Sequence, residues 1–350
     1  MRALAAVLER SDGPFILTEV EHAPPAPDEV VVEVAGVGLC HTDLLARHDG
    51  LAVPTVFGHE AAGVVSWAGA GVRGVEVGDA VVVSYDSCGG CRPCRSGQPS
   101  YCREFAARNL TGLGVAGRPT ARTRAGAPVA TRFFGQSSFA ERILVRGRAV
   151  VPVTTRLPLS LAGPLACSFQ TGAAAVTTTF DPAPGDRLLV IGAGAVGLAA
   201  VAAGVVRGAE VVVVERHPGR RRLARSLGAA VVLADLADPT GPVHHVLETT
   251  GLPAAASHGL AALEPLGILG LVAGARTALA LDSHALVGRS VRYLSQGGAV
   301  PGRIVPEMLG WWESGRFPLP DLVTTYPLSA INRAEADLAR GAVVKAVLLP

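Results

Sequence analysis

Lysine is nearly missing from this chain. Arginine supplies all but one of its 31 Lys and Arg residues, and Lys345 is the exception. That imbalance reads as base-composition bias in the source and not as a function. An excess of charge of either sign is missing too. The 31 basic residues face 29 acidic ones, for a net charge of +2, which excludes both the electrostatic footprint of a nucleic-acid binder and an acidic tail. The start, "MRALAAVLERSDG", lacks the long apolar core and small-residue cleavage site of a secretory signal, since Glu9 and Arg10 interrupt it. A cytoplasmic location is the expectation. Cysteine is scarce, with six in 350 residues, and in such a setting thiols serve as metal ligands or redox groups more often than as disulfides. Internal repeats and low-complexity linkers are absent. With 49% apolar and 17% charged residues, the chain can bury a large core and has room for two domains.

One run imitates a membrane span. Leu188–Val206, "LLVIGAGAVGLAAVAAGVV", holds nineteen uncharged residues. Its β-branched start, its G-x-G-x-x-G interruption and its Ala-rich continuation read instead as strand, turn and helix, so no membrane partner is expected. With "AEVVVVE" behind it, the run forms a βαβ unit, which implies a parallel sheet with helices on both faces. Further alternation follows: "RRLARSLGA" as a helix, then "AVVLAD", "PVHHVLETTG" and "GILGLVAG" as strands. The first third differs. Residues 29–38, 61–69 and 79–86 read as short strands punctuated by Gly and Pro, the mark of an irregular antiparallel β domain. After about residue 298 the pattern loosens, with helices expected in "VPEMLGWWESGRF" and "AEADLARG" and a last strand in "VVKAVLLP". The fold class is α/β. A doubly wound domain over 169–298 is flanked by segments 1–168 and 299–350 that form one domain in space.

Four of the six cysteines, Cys88, Cys91, Cys94 and Cys102, follow C-x2-C-x2-C-x7-C. This spacing lets one turn present several thiolates to a tetrahedral ion, and four sulfurs close its shell, so the site is structural zinc without catalysis. A nucleic-acid zinc ribbon would need a basic stripe that does not continue beside the lobe. A C-x-x-C redox centre would need a βαβ context that is absent there. Cys40, Cys167 and His59 supply the donor set of a catalytic zinc with an open fourth place. Taken singly, each is as readily a small buried residue or a satisfied core histidine. "VIGAGAVG" sets Gly192, Gly194, Ala195, Val196 and Gly197 between strand and helix, where a dinucleotide pyrophosphate can approach. Glu215 ends the next strand, and an acid there accepts from ribose hydroxyls and repels a 2′-phosphate, which favours NAD over NADP. Arg216, His217 and Arg220–Arg222 are the basic groups that could offset that preference.

Together these pieces resemble the zinc-dependent alcohol dehydrogenases of the medium-chain dehydrogenase/reductase superfamily, within it the bacterial aryl-alcohol (benzyl alcohol) and geraniol branch. The resemblance is carried by "GLCHTDLLARHDG", "VFGHEAAGVV", the cysteine lobe, "FFGQSSFAE", "FQTGAAAV", "IGAGAVGLAA", "LETTG" and "GRFPLPDLVTTYPLSAINRAEAD". It implies a GroES-like catalytic domain beside a Rossmann domain, two zinc ions per chain and a homodimer or homotetramer. It also implies hydride transfer between NAD and a primary aryl or allylic alcohol or its aldehyde. By the same resemblance Cys40, His59 and Cys167 hold the catalytic zinc, and Glu60 is a carboxylate able to approach it. Asp43 orients His59, Thr42 takes the substrate proton, His41 meets the pyrophosphate, and Thr171 and the backbone at Val272 flank the nicotinamide. Departures exist as well. Leu45 stands where many relatives carry a relay histidine, with His48 as a nearby substitute. "ACS" replaces "GCG" at Cys167, "LSQGGAVP" differs around Gln296 and Gly298, and the stretch between "LADLADPTG" and "VHHVLETTG" is short. Two other readings fit these residues: a biosynthetic zinc reductase of a bulkier aldehyde, enal or iminium, and a catalytically silent scaffold that keeps the zinc lobe.

Overall fold

The structure is a computed structural model that describes residues 1–48, 54–238, 240–273 and 278–350. Asp49 and Gly50, at the end of the motif beginning at Gly38, and Pro239 lie outside the described residues. The chain divides into two compact units. The first comprises Met1–Cys167, Pro301–Leu309 and Leu319–Pro350, and the second Ser168–Val300 and Gly310–Pro318.

The first unit holds two largely antiparallel sheets. Strands β1 (Arg2–Leu8), β2 (Phe15–His22), β4 (Thr55–Val56), β7 (Ala121–Thr123) and β8 (Pro128–Val129) run in the order β4-β1-β2-β7-β8. The larger sheet orders β10 (Val150–Pro152), β6 (Ala80–Val83), β5 (Ala61–Ala68), β3 (Glu29–Leu39), β18 (Lys345–Leu349) and β17 (Val323–Pro327), with β9 (Arg142–Arg146) also on β3. Valine-rich β3, "EVVVEVAGVGL", is buried along most of its length because neighbours cover it, and β-branched side chains suit that pleated interior. Phe15, Phe57, Phe133 and Phe139 are the aromatic centre of this unit's core.

Register then decides what meets at one end of the larger sheet. Ala346 of β18 pairs Leu39 of β3, so Lys345 falls level with Cys40, just past the strand. Val37 of β3 pairs Ala61 of β5, which brings Glu60 to Gly38. Ala61 also pairs Val83 of β6, so Ser84 arrives at the same end. The ladder of β6 stops at Val83, short of the expected 79–86, because the Gln136 side chain takes the carbonyls of Val83 and Ser84. The helix α1 (His41–Ala46) starts directly from β3.

The second unit is a six-stranded parallel sheet in the order β13-β12-β11-β14-β15-β16, with ranges Val231–Leu233, Glu210–Val214, Arg187–Ile191, Val243–Glu248, Leu263–Leu271 and Ser290–Tyr293. The order reverses between β11 and β14, as a doubly wound sheet requires. The nineteen-residue apolar run breaks into β11 and a buried helix, α2 (Ala195–Val206), and among the described residues no single helix is long and apolar enough to cross a membrane. A helix over Pro253–Ala262 carries no sequence periodicity of its own, since its "PAAASHGLAA" is small and apolar nearly all round. Gly310–Pro318 belongs with this unit, where Phe317 meets Phe169 edge-on at 5.3 Å.

Candidate active site

Cys40 caps α1, and Asp43 ties the helix start together. Its Oδ2 accepts from the Cys40 backbone N–H at 2.9 Å. Its Oδ1 accepts from the Gly58 N–H at 3.1 Å and faces His59 Nδ1 at 2.9 Å. That contact places a proton on Nδ1 and leaves Nε2 as the nitrogen that an ion would take, in place of any proton there. His59 Nε2 is buried and has no hydrogen-bond partner. It points into a group formed with Cys40, Glu60 and Cys167, whose ligand atoms all lie within 4.8 Å of one another. Cys167 is brought in by Ser84, whose hydroxyl donates to the Ala166 carbonyl at 2.7 Å.

The group is charge-rich and almost dry. Burial pushes the Glu60 carboxyl up, and the neighbouring Lys345 ammonium pulls it only part of the way back. The Cys167 thiol hydrogen-bonds Cys40 and holds it well below the ordinary thiol range, while Cys167 itself is raised. Burial is the largest influence on His59 and opposes its charge, but Asp43 and then Cys40 together outweigh it, and the ring is pushed up to about 10. Two thiol sulfurs, one orphaned imidazole nitrogen and a carboxylate in so small a volume want a cation. The donor set fits zinc, with a sulfur, nitrogen and oxygen mixture that a hard ion such as magnesium would not prefer. Thr42 sits beside it, with Oγ1 3.7 Å from Cys40 Sγ. His41, Leu45 and His48 are exposed along and just past α1.

Lys345 is the group that sequence reasoning passed over. Nζ lies 2.6 Å from Glu60 Oε2, and the two side chains are 2% and 0% exposed. A Cβ on Gly38 would overlap both Glu60 Oε2 and the lysine stem, so glycine is needed where β3 passes this pair. The signal was present: a lone charge in an apolar strand, of a residue type used once in the chain.

The second cluster is the cysteine lobe. Cys91 Sγ lies 3.5 Å from Cys94 Sγ and 4.0 Å from Cys102 Sγ, and Cys88 Sγ lies 3.9 Å from Cys94 Sγ. All four sulfurs fall within 4.8 Å of one another, and none of the six cysteines is in a disulfide. Backbone N–H groups already turn toward them, from Cys88 to Cys102 Sγ at 3.3 Å and from Cys91 to Cys88 Sγ at 3.2 Å. The Arg103 N–H is foremost in drawing the Cys91 thiol down to about 6, where it is readily a thiolate.

In the second unit, Gly194 caps α2 with no side chain, leaving helix N–H groups open to an anion. A Cβ on Gly197 would overlap the Gly192 carbonyl, so the turn closes only with glycine there. Ala195 and Val196 open α2 itself. Glu215 accepts from the Ala193 N–H and from the His217 N–H, each at 2.7 Å, which fastens the second strand to the turn. Arg221 donates to the carbonyls of Glu215 and Arg216 at 2.9 and 2.8 Å, whereas Arg216 is exposed. Thr171 is buried at 6% exposure. Val272 donates to the Glu248 carbonyl at 3.2 Å, and Glu248 in turn caps the "TTG" turn through the Thr250 and Gly251 N–H groups.

An irregular β unit carrying two cysteine-rich clusters able to hold a metal ion, joined to a doubly wound nucleotide-type unit, defines a zinc-dependent dehydrogenase. The chain belongs to the zinc-dependent alcohol dehydrogenase family: residues 26–155 match the alcohol dehydrogenase GroES-like domain and residues 195–311 the zinc-binding dehydrogenase domain. It is 39% identical to a geraniol dehydrogenase of Castellaniella defragrans over 99% of this chain and 97% of that one. The crystal structure of an alcohol dehydrogenase zinc-binding domain protein from Burkholderia ambifaria superposes with a TM-score of 0.96 at 38% identity, covering 100% and 99% of the two chains. Benzyl alcohol dehydrogenase from Acinetobacter calcoaceticus gives 0.93 at 34% identity, with the same coverage.

Proposed function

We propose that this protein oxidises primary aryl or allylic alcohols to aldehydes, or reduces the aldehydes, with NAD as hydride acceptor or donor. In this reading the first unit is catalytic and the second binds the dinucleotide. The observation that carries it is the convergence of Cys40, His59, Glu60 and Cys167 about a buried, orphaned imidazole nitrogen. Cys40, His59 and Cys167 would hold a catalytic zinc, and Cys88, Cys91, Cys94 and Cys102 a structural one. When bound, the catalytic ion supplies Lewis acidity toward the substrate oxygen. The chain's own residues do the rest. Asp43 keeps the proton on His59 Nδ1. Lys345 holds Glu60 in an ion pair, which would keep that carboxylate from competing with substrate for the ion. The Thr42 hydroxyl receives the alcohol proton and passes it outward. His48 and water are the two exits on this side, since Leu45 has nothing to titrate.

For the cofactor, Gly192, Gly194, Ala195, Val196 and Gly197 would receive the pyrophosphate at the start of α2, with His41 as a further partner. Thr171 and the backbone at Val272 would flank the nicotinamide. Glu215, fixed by two N–H groups, presents its remaining lone pairs to the ribose hydroxyls and a negative charge to any 2′-phosphate, which favours NAD even with Arg216 beside it. The aryl or allylic substrate class rests on the geraniol and benzyl alcohol relatives. Six cysteines with no disulfide among them favour a reducing, cytoplasmic setting, and the edge strand β16 gives a homodimer or homotetramer a sheet to extend.

The test is absorbance at the NADH band with benzyl, cinnamyl, geranyl and short aliphatic alcohols, each with NAD and with NADP, and with the matching aldehydes in reverse. Faster turnover of the unsaturated alcohols with NAD supports the reading. No turnover of any of them by protein carrying two zinc ions per chain overturns it. Light scattering gives the oligomer.

A further inference from the structure

The turn between β8 and β9 is unused by the reading above, yet it is strained. Phe134 and Ser137, at φ 51° and 49°, are the two non-glycine residues with positive φ among the described residues of the first unit, and Gly135 between them is at 69°. Side chains other than glycine avoid this region, and where they are held in it the surroundings must hold them there.

What holds them is the segment that bears His59. The Phe134 ring lies nearly flat on the His59 imidazole, with centroids 4.4 Å apart and planes 24° apart. Phe133 meets the same imidazole edge-on at 5.6 Å, and Phe105 backs Phe134 edge-on at 6.2 Å. Gln136, 1% exposed, donates through Nε2 to the His59 carbonyl at 3.1 Å and accepts through Oε1 from the Ala61 N–H at 3.3 Å. The Ser138 and Phe139 N–H groups donate to the Gly58 and Phe57 carbonyls, both at 2.9 Å. Ser137 Oγ accepts from the Phe133 N–H at 2.9 Å and closes the turn. The strand entry Phe57–Ala61 is therefore gripped from one side along its length.

This arrangement supplies something that Asp43 cannot. A single hydrogen bond at Nδ1 fixes one point of the imidazole and leaves the ring free to rock about the Nδ1···Oδ1 line. Rocking swings Nε2 out of line with any ion it ligates. A flat aromatic wall on the ring face removes that freedom. We propose that Phe133–Ser138 is a strained clamp that sets the plane of the His59 imidazole, with Phe134 and Gln136 as positioning residues for the metal ligand. The clamp rests on the reading of Cys40, His59 and Cys167 as a metal centre.

The experiment measures metal release to a chelator, and the visible absorption of the cobalt-substituted protein, for wild type, F134L, F139L and Q136A. F139L is the matched comparison, since it removes a ring from the same core, where Phe139 packs on Phe15 at 5.8 Å and not on His59. F134L is expected to release the ion of the Cys40 group about 10- to 100-fold faster and to shift the cobalt bands, while the Cys88–Cys102 ion is retained. F139L is expected to match wild type in both. Q136A, which cuts the bonds to the His59, Val83 and Ser84 carbonyls and leaves both rings in place, is expected to fall on the side of F134L, and it decides the question if F134L does not fold. Release rates and cobalt bands the same in F134L or Q136A as in F139L would overturn the clamp. A wild type that binds one ion per chain would overturn the metal centre itself, and the clamp with it, and that result is read before any variant is made.

Discussion

Asp43 serves three partners with two oxygens: the Cys40 and Gly58 N–H groups and the His59 ring. Replacing it by Asn keeps the shape but puts an amide where the carboxylate stood. D43N is expected to lower kcat/KM about 10- to 100-fold and to release one of the two proposed zinc ions first, as read by elemental analysis after dialysis. Lys345 makes a second case. Removing one partner of a buried pair strands the other, at a loss of about 3–5 kcal/mol. K345M should therefore lower the urea midpoint sharply, and K345M with E60Q should recover much of the loss, because no uncompensated charge is left. Equal destabilisation by the single and double variants would mean that Glu60 is not charged in the folded protein. The lone lysine stood out in the sequence, but what it pairs with was illegible there for a physical reason. Its role comes from strand register, Ala346 opposite Leu39, and register is a property of the assembled sheet. Phe134 was illegible for the opposite reason, since a phenylalanine in the left-handed region contradicts what its own residue type prefers.

At the scale of elements, legibility follows how local the determinant is. The cysteine lobe was readable because four ligands lie within fifteen residues and their spacing alone fits one ion. The βαβ unit was readable because β-branched strands and a glycine turn sit next to one another in the chain. The end of β6 was not, because a distant side-chain amide ends it. The convergence of Cys40, His59 and Cys167 belongs to the same class. Three elements over 128 residues build it, and resemblance, not spacing, pointed there. The lobe's separateness gives a prediction. C94S should cost the structural ion and open residues 88–102 to protease, and it should lower thermal stability. The zinc that remains should be the one whose loss abolishes turnover. If C94S empties both sites together, the two clusters are coupled in a way these contacts do not contain.

For the molecule as a whole, acid sensitivity has an identifiable source away from the site. His22 is buried, and desolvation first, then Arg132 and the N-terminal ammonium, lower it to about 4. The folded protein thus keeps this ring neutral where the unfolded chain, near 6.5, takes up a proton. Its contribution is complete above pH 6.5 and drains away as pH falls toward 4, by about 3 kcal/mol over the full shift. Unfolding midpoints measured across that range should fall with pH, and H22Q should flatten the slope. An unchanged slope would place the acid-labile group elsewhere.

The buried lysine also determines how the folded protein meets reagents. Amine-directed chemistry — acylation, glycation, carbamylation, most bioconjugation esters — ordinarily finds many targets on a protein surface. Here one ε-amine exists, and it is sealed beside Glu60 at 2% exposure, so an intact molecule offers such reagents little beyond its α-amino group. Mass added at residue 345 would then be a timer for the final strand leaving its sheet, legible in a spectrometer without any engineered probe.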